Sequence, residues 1–186
     1  MPSPIGHAIA GAAVAWGGDA LAPLSTNRAS STRLVATCAA LAAVADLDLI
    51  IPRYHRSYSH SVIAVLLVFI VAARVTGEVQ RRWRTAILCA AAYASHLVLD
   101  WLGADTLPPF GLQALWPFST HFFISGFGVF AEVERRHPFA LATIAQNLRA
   151  AAQEVAVVAP LAFALWAVRG EVLARRAPDV QDVEKA

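Results

Sequence analysis

The sequence predicts an all-α, membrane-embedded bundle of about five or six helices built around a buried cluster of histidines and aspartates. Three observations predict it. First, 58% of the 186 residues are hydrophobic and only 15% are charged, with a mean hydropathy of +0.54. A soluble domain carries about 25% charged residues, so this chain has too little polar surface to cover a globule in water. Second, the apolar residues fall into runs of helical length bounded by Gly, Pro and charge, and no strand-like alternation competes with them. Third, the ionisable residues inside those runs are the types that bind metals.

In chain order, a first helix is expected over residues 4–16, with Pro4 at an early position and Gly17-Gly18 as its stop. A polar segment over residues 21–31 precedes a second helix over 32–50, which ends before Pro52. Ser59 suits the N-cap of a third helix over 60–75, stopped by Gly77. The fourth covers 83–102 and stops at Gly103. A Pro, Gly and aromatic segment follows over 105–119, then a shorter apolar stretch over 122–131. Residues 139–168 form one or two further helices, interrupted at Pro160. Residues 1–174 read as one helical membrane domain, and the charged segment 175–186 as a disordered tail.

A spanning helix needs about 20 apolar residues, and each run here is interrupted: by Asp46, Arg74, His96 or Pro160. Helices that turn those groups inward satisfy both facts. Net charge is only +2, which argues against a nucleic-acid partner. Arginines stand in nearly every interruption, so the orientation rule is undecided by sequence. Cys38 and Cys89 sit within Ala/Leu-rich runs and read as buried core. The amino-terminal residues lack the basic segment of a signal peptide.

Charges in apolar segments cost several kcal/mol, so they pair, line a cavity or bind a ligand. His96-x-x-x-Asp100 places an imidazole and a carboxylate one helical turn apart, on one face, able to grip one divalent ion. A simple local hydrogen bond is the plainer alternative. Asp46 and Asp48 face apart on a regular helix, so either the helix loosens before Pro52 or one binds metal while the other orients a histidine. His60, placed at a helix start, should stay neutral, as a ligand must. His55, between Arg53 and Arg56, and His7, in the first helix, are further candidates. His121 is a weaker one, and His137 reads as loop surface. The site residues expected are therefore His7, Asp46, Asp48, His55, His60, His96 and Asp100, with Asp48 also a general base. Histidines with carboxylates on four helices suit zinc, with manganese or iron as alternatives, as one or two ions. No nucleophile elbow, P-loop or Rossmann glycine pattern appears.

With these residues in place, the chain resembles the bacterial membrane-bound metal-dependent hydrolases, also described as LexA-binding, inner-membrane-associated hydrolases. The resemblance rests on Pro2-Ser3-Pro4-Ile5-Gly6-His7-Ala8, Ala45-Asp46-Leu47-Asp48, His55-Arg56 with Ser59-His60-Ser61, Ser95-His96-Leu97-Val98-Leu99-Asp100, and Leu115-Trp116-Pro117-Phe118-Ser119. It covers about the first 120 residues and implies a multi-pass protein of the bacterial inner membrane. More remotely, the pattern is similar to zinc-dependent phospholipase C and the single-strand-specific zinc nucleases, although it lacks their amino-terminal tryptophan. That likeness implies His7, Asp46, His60, His96 and Asp100 as ligands, with Asp48 and His55 next. The expected activity is hydrolysis of a phosphoester or lipid-like substrate by metal-activated water, with membrane lipid and a regulatory protein as partners. The rival reading is a metal-binding membrane protein without catalysis, a transporter or a regulatory partner; a purely structural polar cluster is a third.

Overall fold

A computed structural model describes residues 2–22, 28–50, 56–106, 108–134, 137 and 139–176. Its helices are α1 (Pro4–Leu21), α2 (Arg28–Val44), α3 (Val62–Val75), α4 (Val79–Leu102) and α5 (Leu141–Arg176), and α2 runs on into a 3-10 turn over Ala45–Ile50. The Ser3 hydroxyl caps α1 by accepting from Gly6 N, with Pro4 at the first helical position. Helix α1 lies at the centre, packed on α5, α2 and α4, while α3 packs on α4.

Small residues permit these contacts. A Cβ at Gly11 would stand 2.4 Å from the Cys38 carbonyl oxygen, so α1 and α2 cross where one has no side chain. Gly17 and Gly18 do not stop α1 as expected. They let it continue against Leu165 of α5 and Leu88 of α4, where a Cβ at Gly18 would lie 2.1 Å from Leu88 Cδ2.

Three helical segments have the length and composition of membrane spans: Ser30–Asp48, Arg81–Leu102 and Leu141–Arg176. Helix α3 is shorter but apolar, and exposes Leu66, Leu67, Ile70 and Val71 outward. Large apolar side chains also point outward from α5, including Leu161, Phe163 and Trp166. Such surfaces belong in lipid.

Other expectations need correction. Helix α3 begins at Val62, and its cap is Ser61, not Ser59. The stretch 122–131 is not helical. Phe123 pairs with Leu112 in an antiparallel bridge and Phe130 with Gly103 in a parallel one, and these fasten the long connection between α4 and α5. Helix α5 continues through Pro160, because it is tied to α1 on both sides of the lost hydrogen bond, by Glu154 to Ser3 and by Arg169 to Asp19. Arg175 and Arg176 belong to α5, and the remainder of the expected tail, 177–186, lies outside the described residues.

The helix directions define two ends. The start of α1, the end of α2 with its 3-10 turn, the start of α3 and the end of α4 meet at one. At the other, Arg169 pairs with Asp19 and reaches Ser31, and Arg84 reaches the Ala22 carbonyl.

Candidate metal centre

Five of the expected ligands converge at the first end. His7 sits in the opening turns of α1, held there by the cap at Ser3. His96 and Asp100 project from one face of α4, as their spacing requires. Asp46 comes from the 3-10 turn, which loosens the chain after α2. His60 lies just before the α3 cap. All are buried, His7, His60 and His96 at 0% exposure, Asp100 at 1% and Asp46 at 6%.

The tightest group is His60, His96 and Asp100. Their Nε2, Nε2 and Oδ2 atoms stand 2.9 Å (His60–His96), 3.1 Å (His96–Asp100) and 3.2 Å (His60–Asp100) apart. His7 Nε2 is 3.4 Å from Asp100 Oδ1. Asp46 is looser, with Oδ2 3.9 Å from His7 Nε2 and Oδ1 4.0 Å from His96 Nε2. The His7 ring stacks on that of His96, centroids 3.8 Å apart.

The hydrogens on these rings are fixed from outside the cluster. His96 Nδ1 is 2.8 Å from the Ala42 carbonyl oxygen, which can only accept, so that nitrogen carries the hydrogen. His60 Nδ1 faces Asp48 Oδ2 at 3.1 Å and the Ser59 hydroxyl oxygen at 2.9 Å. The Ser59 hydroxyl itself donates to Asp48, so His60 Nδ1 is again the donor. In the neutral rings both Nε2 lone pairs point inward, at each other and at a carboxylate. The oxygens of Asp46 and Asp100 and both nitrogens of His7 make no hydrogen bond, despite the short approaches to Asp100. Buried acceptors left this way cost about 1–3 kcal/mol each, and a cation among them removes that cost. Donors about 2.1 Å from one ion stand about 3.0–3.4 Å apart, close to the spacing of the tight triad. The residues fit a divalent transition ion.

Asp48 lies behind His60 and not among the converging atoms. It accepts from Arg56 N at 3.2 Å, from Ser59 and from His60. Of its three anticipated roles, ligand, orienting carboxylate and general base, this position behind His60 matches the second, because its oxygen faces His60 Nδ1, Ser59 and Arg56 N and not the converging atoms. Arg56 adopts a left-handed conformation, φ 67°, which is uncommon for a side-chain-bearing residue. Its guanidinium holds Asp105 and, at 3.1 Å, the Pro109 carbonyl, fastening the α4–α5 connection beneath the site. Tyr93 donates to the Ser59 carbonyl at 2.6 Å. His60 is not in a helical first turn, so no helix terminus keeps it neutral. Burial pulls its pKa down, but Asp100 and Asp48 outweigh burial and raise it to about 9.

His55 lies outside the described residues. His121 and His137 are exposed and do not join the cluster. Cys38 and Cys89 are buried core residues, as expected. One contributor was missed. Glu154 of α5 is fully buried, accepts from Ser3 N at 2.8 Å and from the Ser3 hydroxyl, and so fixes the start of α1 that carries His7. The signal for it in the sequence is an acid well inside a long, largely apolar helix.

Fold and site together define a helical membrane protein with a buried, metal-competent His/Asp centre near one end of its bundle. The chain belongs to the YdjM inner membrane protein family, which it matches over residues 1–173. It is accordingly an inner membrane protein. No curated protein and no solved structure matches the chain.

Proposed function

We propose that this protein is a metal-dependent hydrolase of the inner membrane, acting on a phosphoester or lipid-like substrate. The observation that carries the reading is the convergence of two imidazole lone pairs and an aspartate oxygen within 2.9–3.2 Å of one another. His60, His96 and Asp100 would hold one divalent ion, zinc before manganese or iron, with His7 and Asp46 completing its surroundings. Bound there, such an ion supplies a water acidic enough to attack near neutral pH and a Lewis acid for the substrate oxygen. Asp46, whose oxygens carry no hydrogen bond and stand farthest from the imidazoles, is the carboxylate best placed to take the proton from that water. Asp48 and the Ala42 carbonyl keep the two rings in the required tautomer. The apolar surroundings favour an amphiphilic substrate.

The test is hydrolysis of phospholipids and of soluble phosphomonoesters and diesters by the zinc-, manganese- and iron-loaded protein, compared with chelated protein. Asp46→Asn should keep its ion and lose turnover by about 100-fold or more. No hydrolysis by any metal-loaded form would sink the enzyme reading. The second reading, a metal-binding membrane protein without catalysis, would then stand. The burial of all five residues, 0–6% exposed, favours it.

A further inference from the structure

We propose that the end of the bundle remote from the metal centre holds an anionic phospholipid, its phosphate between Arg33 and Arg81 and an acyl chain in the trough between α2, α3 and α4. Two adjoining cavities make the case. One, of about 210 Å³, is bordered by the polar residues Ser30, Ser31, Arg33 and Arg81. The other, of about 390 Å³, is walled by Leu41, Leu67, Val68, Val71, Ala72 and Val75. Thr37, Thr85 and Cys89 line both, so the space bordered by the two arginines opens directly onto an apolar trough. Two cationic side chains beside an apolar trough match the charged head and acyl chain of an anionic phospholipid.

Charge agrees with this occupant. Arg33 is exposed and has no ion pair among the described residues. Among the described residues, Arg81 is engaged only by Glu78 at 3.0 Å, in a pair 40% and 67% exposed. An exposed pair of that kind is weak and yields easily to a phosphate. Asp19, which also lines the head space, is already neutralised by Arg169 at 2.6 Å. Guanidinium groups match phosphate oxygens two at a time. Basic residues at a membrane surface each favour anionic lipid. The site is independent of the hydrolase reading, since it shares no residue with the His/Asp centre.

Native mass spectrometry of the detergent-purified full chain, titrated with phosphatidylglycerol or phosphatidylcholine, decides it. One phosphatidylglycerol should be retained in preference to phosphatidylcholine. Replacing both arginines, Arg33→Gln with Arg81→Gln, should weaken that retention by about tenfold or more. Val71→Trp, at an outward position 56% exposed, should fill the trough and weaken it without altering charge. Glycerol 3-phosphate, which has the head without the chain, should not displace the lipid at millimolar concentration. Equal retention of the two lipids overturns the proposal. So does retention unaffected by Val71→Trp, which decides the matter even if the double arginine variant does not fold.

Discussion

The Nε2 atoms of His60 and His96 lie 2.9 Å apart, and in the neutral rings neither has a hydrogen to offer the other. Each ring has spent its hydrogen outward, His96 on the Ala42 carbonyl and His60 on Asp48 and Ser59. With Asp100 Oδ2 3.1–3.2 Å from both, the arrangement calls for a cation. A divalent ion answers it, and so does a proton on His60.

Asp48 orients His60 from behind, so Asp48→Asn should weaken metal affinity by about 10–100-fold while leaving the ion bindable at higher concentration. His60→Ala should remove much more. Competition with a chromophoric chelator measures both. Equal losses in the two variants would make Asp48 a ligand in its own right.

Gly11→Ala forces a methyl group to within 2.4 Å of the Cys38 carbonyl oxygen and 2.7 Å of Ala42 Cβ. Helix α2 must retreat, at about 1–3 kcal/mol, and with it the Ala42 carbonyl that orients His96. A lower melting temperature in detergent and weaker metal binding should appear together. A loss of stability with unchanged metal affinity would separate this crossing from the site.

The His60 pKa, raised from 6.5 to about 9, sets the sign of a pH effect. In chelated protein its contribution to stability is complete below pH 6.5 and is lost as pH rises through 9. Metal binding must expel this proton, so metal affinity should rise over the same window. Melting curves with chelator and with zinc should therefore diverge as pH increases. Parallel curves would mean that His60 neither carries the proton nor binds the ion.

The helix directions also sort the arginines. Arg33, Arg74, Arg81, Arg82, Arg84, Arg169, Arg175 and Arg176 stand at the end opposite the His/Asp centre. Among the described residues, the site end has only Arg56, paired with Asp105, and Arg149. By the positive-inside rule, that excess predicts a cytoplasmic face for the first group and a periplasmic one for the His/Asp centre. In a Cys38→Ala, Cys89→Ala background, a membrane-impermeant maleimide should label Thr120→Cys in intact cells. It should reach Gly77→Cys, where an added Cβ meets nothing within 4 Å, only after lysis. The reverse pattern would invert the topology.

Much of this was legible in the sequence. His96 and Asp100 share a face because one helical turn separates them, and an acid at position 46 amid leucines and isoleucines already implied a partner. What escaped depends on distant contacts. Gly17 and Gly18 look like a stop until Leu88 and Leu165 come to fill the space beside them. Ser59 reads as the cap of the third helix until Asp48 claims its hydroxyl and Ser61 takes the position. Pro160 looks like a break because the ties from Glu154 to Ser3 and from Arg169 to Asp19 span 151 and 150 residues. The orientation was undecidable while the arginines were ordered along the chain; the helix directions, which gather most of the described ones at one end, turn it into a testable prediction.

Metal content of the detergent-purified protein, by elemental mass spectrometry, should be measured for wild type, His96→Ala and Asp100→Ala. Near-stoichiometric zinc, manganese or iron in wild type and its loss in both variants is the predicted result. Wild-type protein that stays metal-free after incubation with all three ions would contradict the metal centre, leaving a cluster held together by the His60 proton alone.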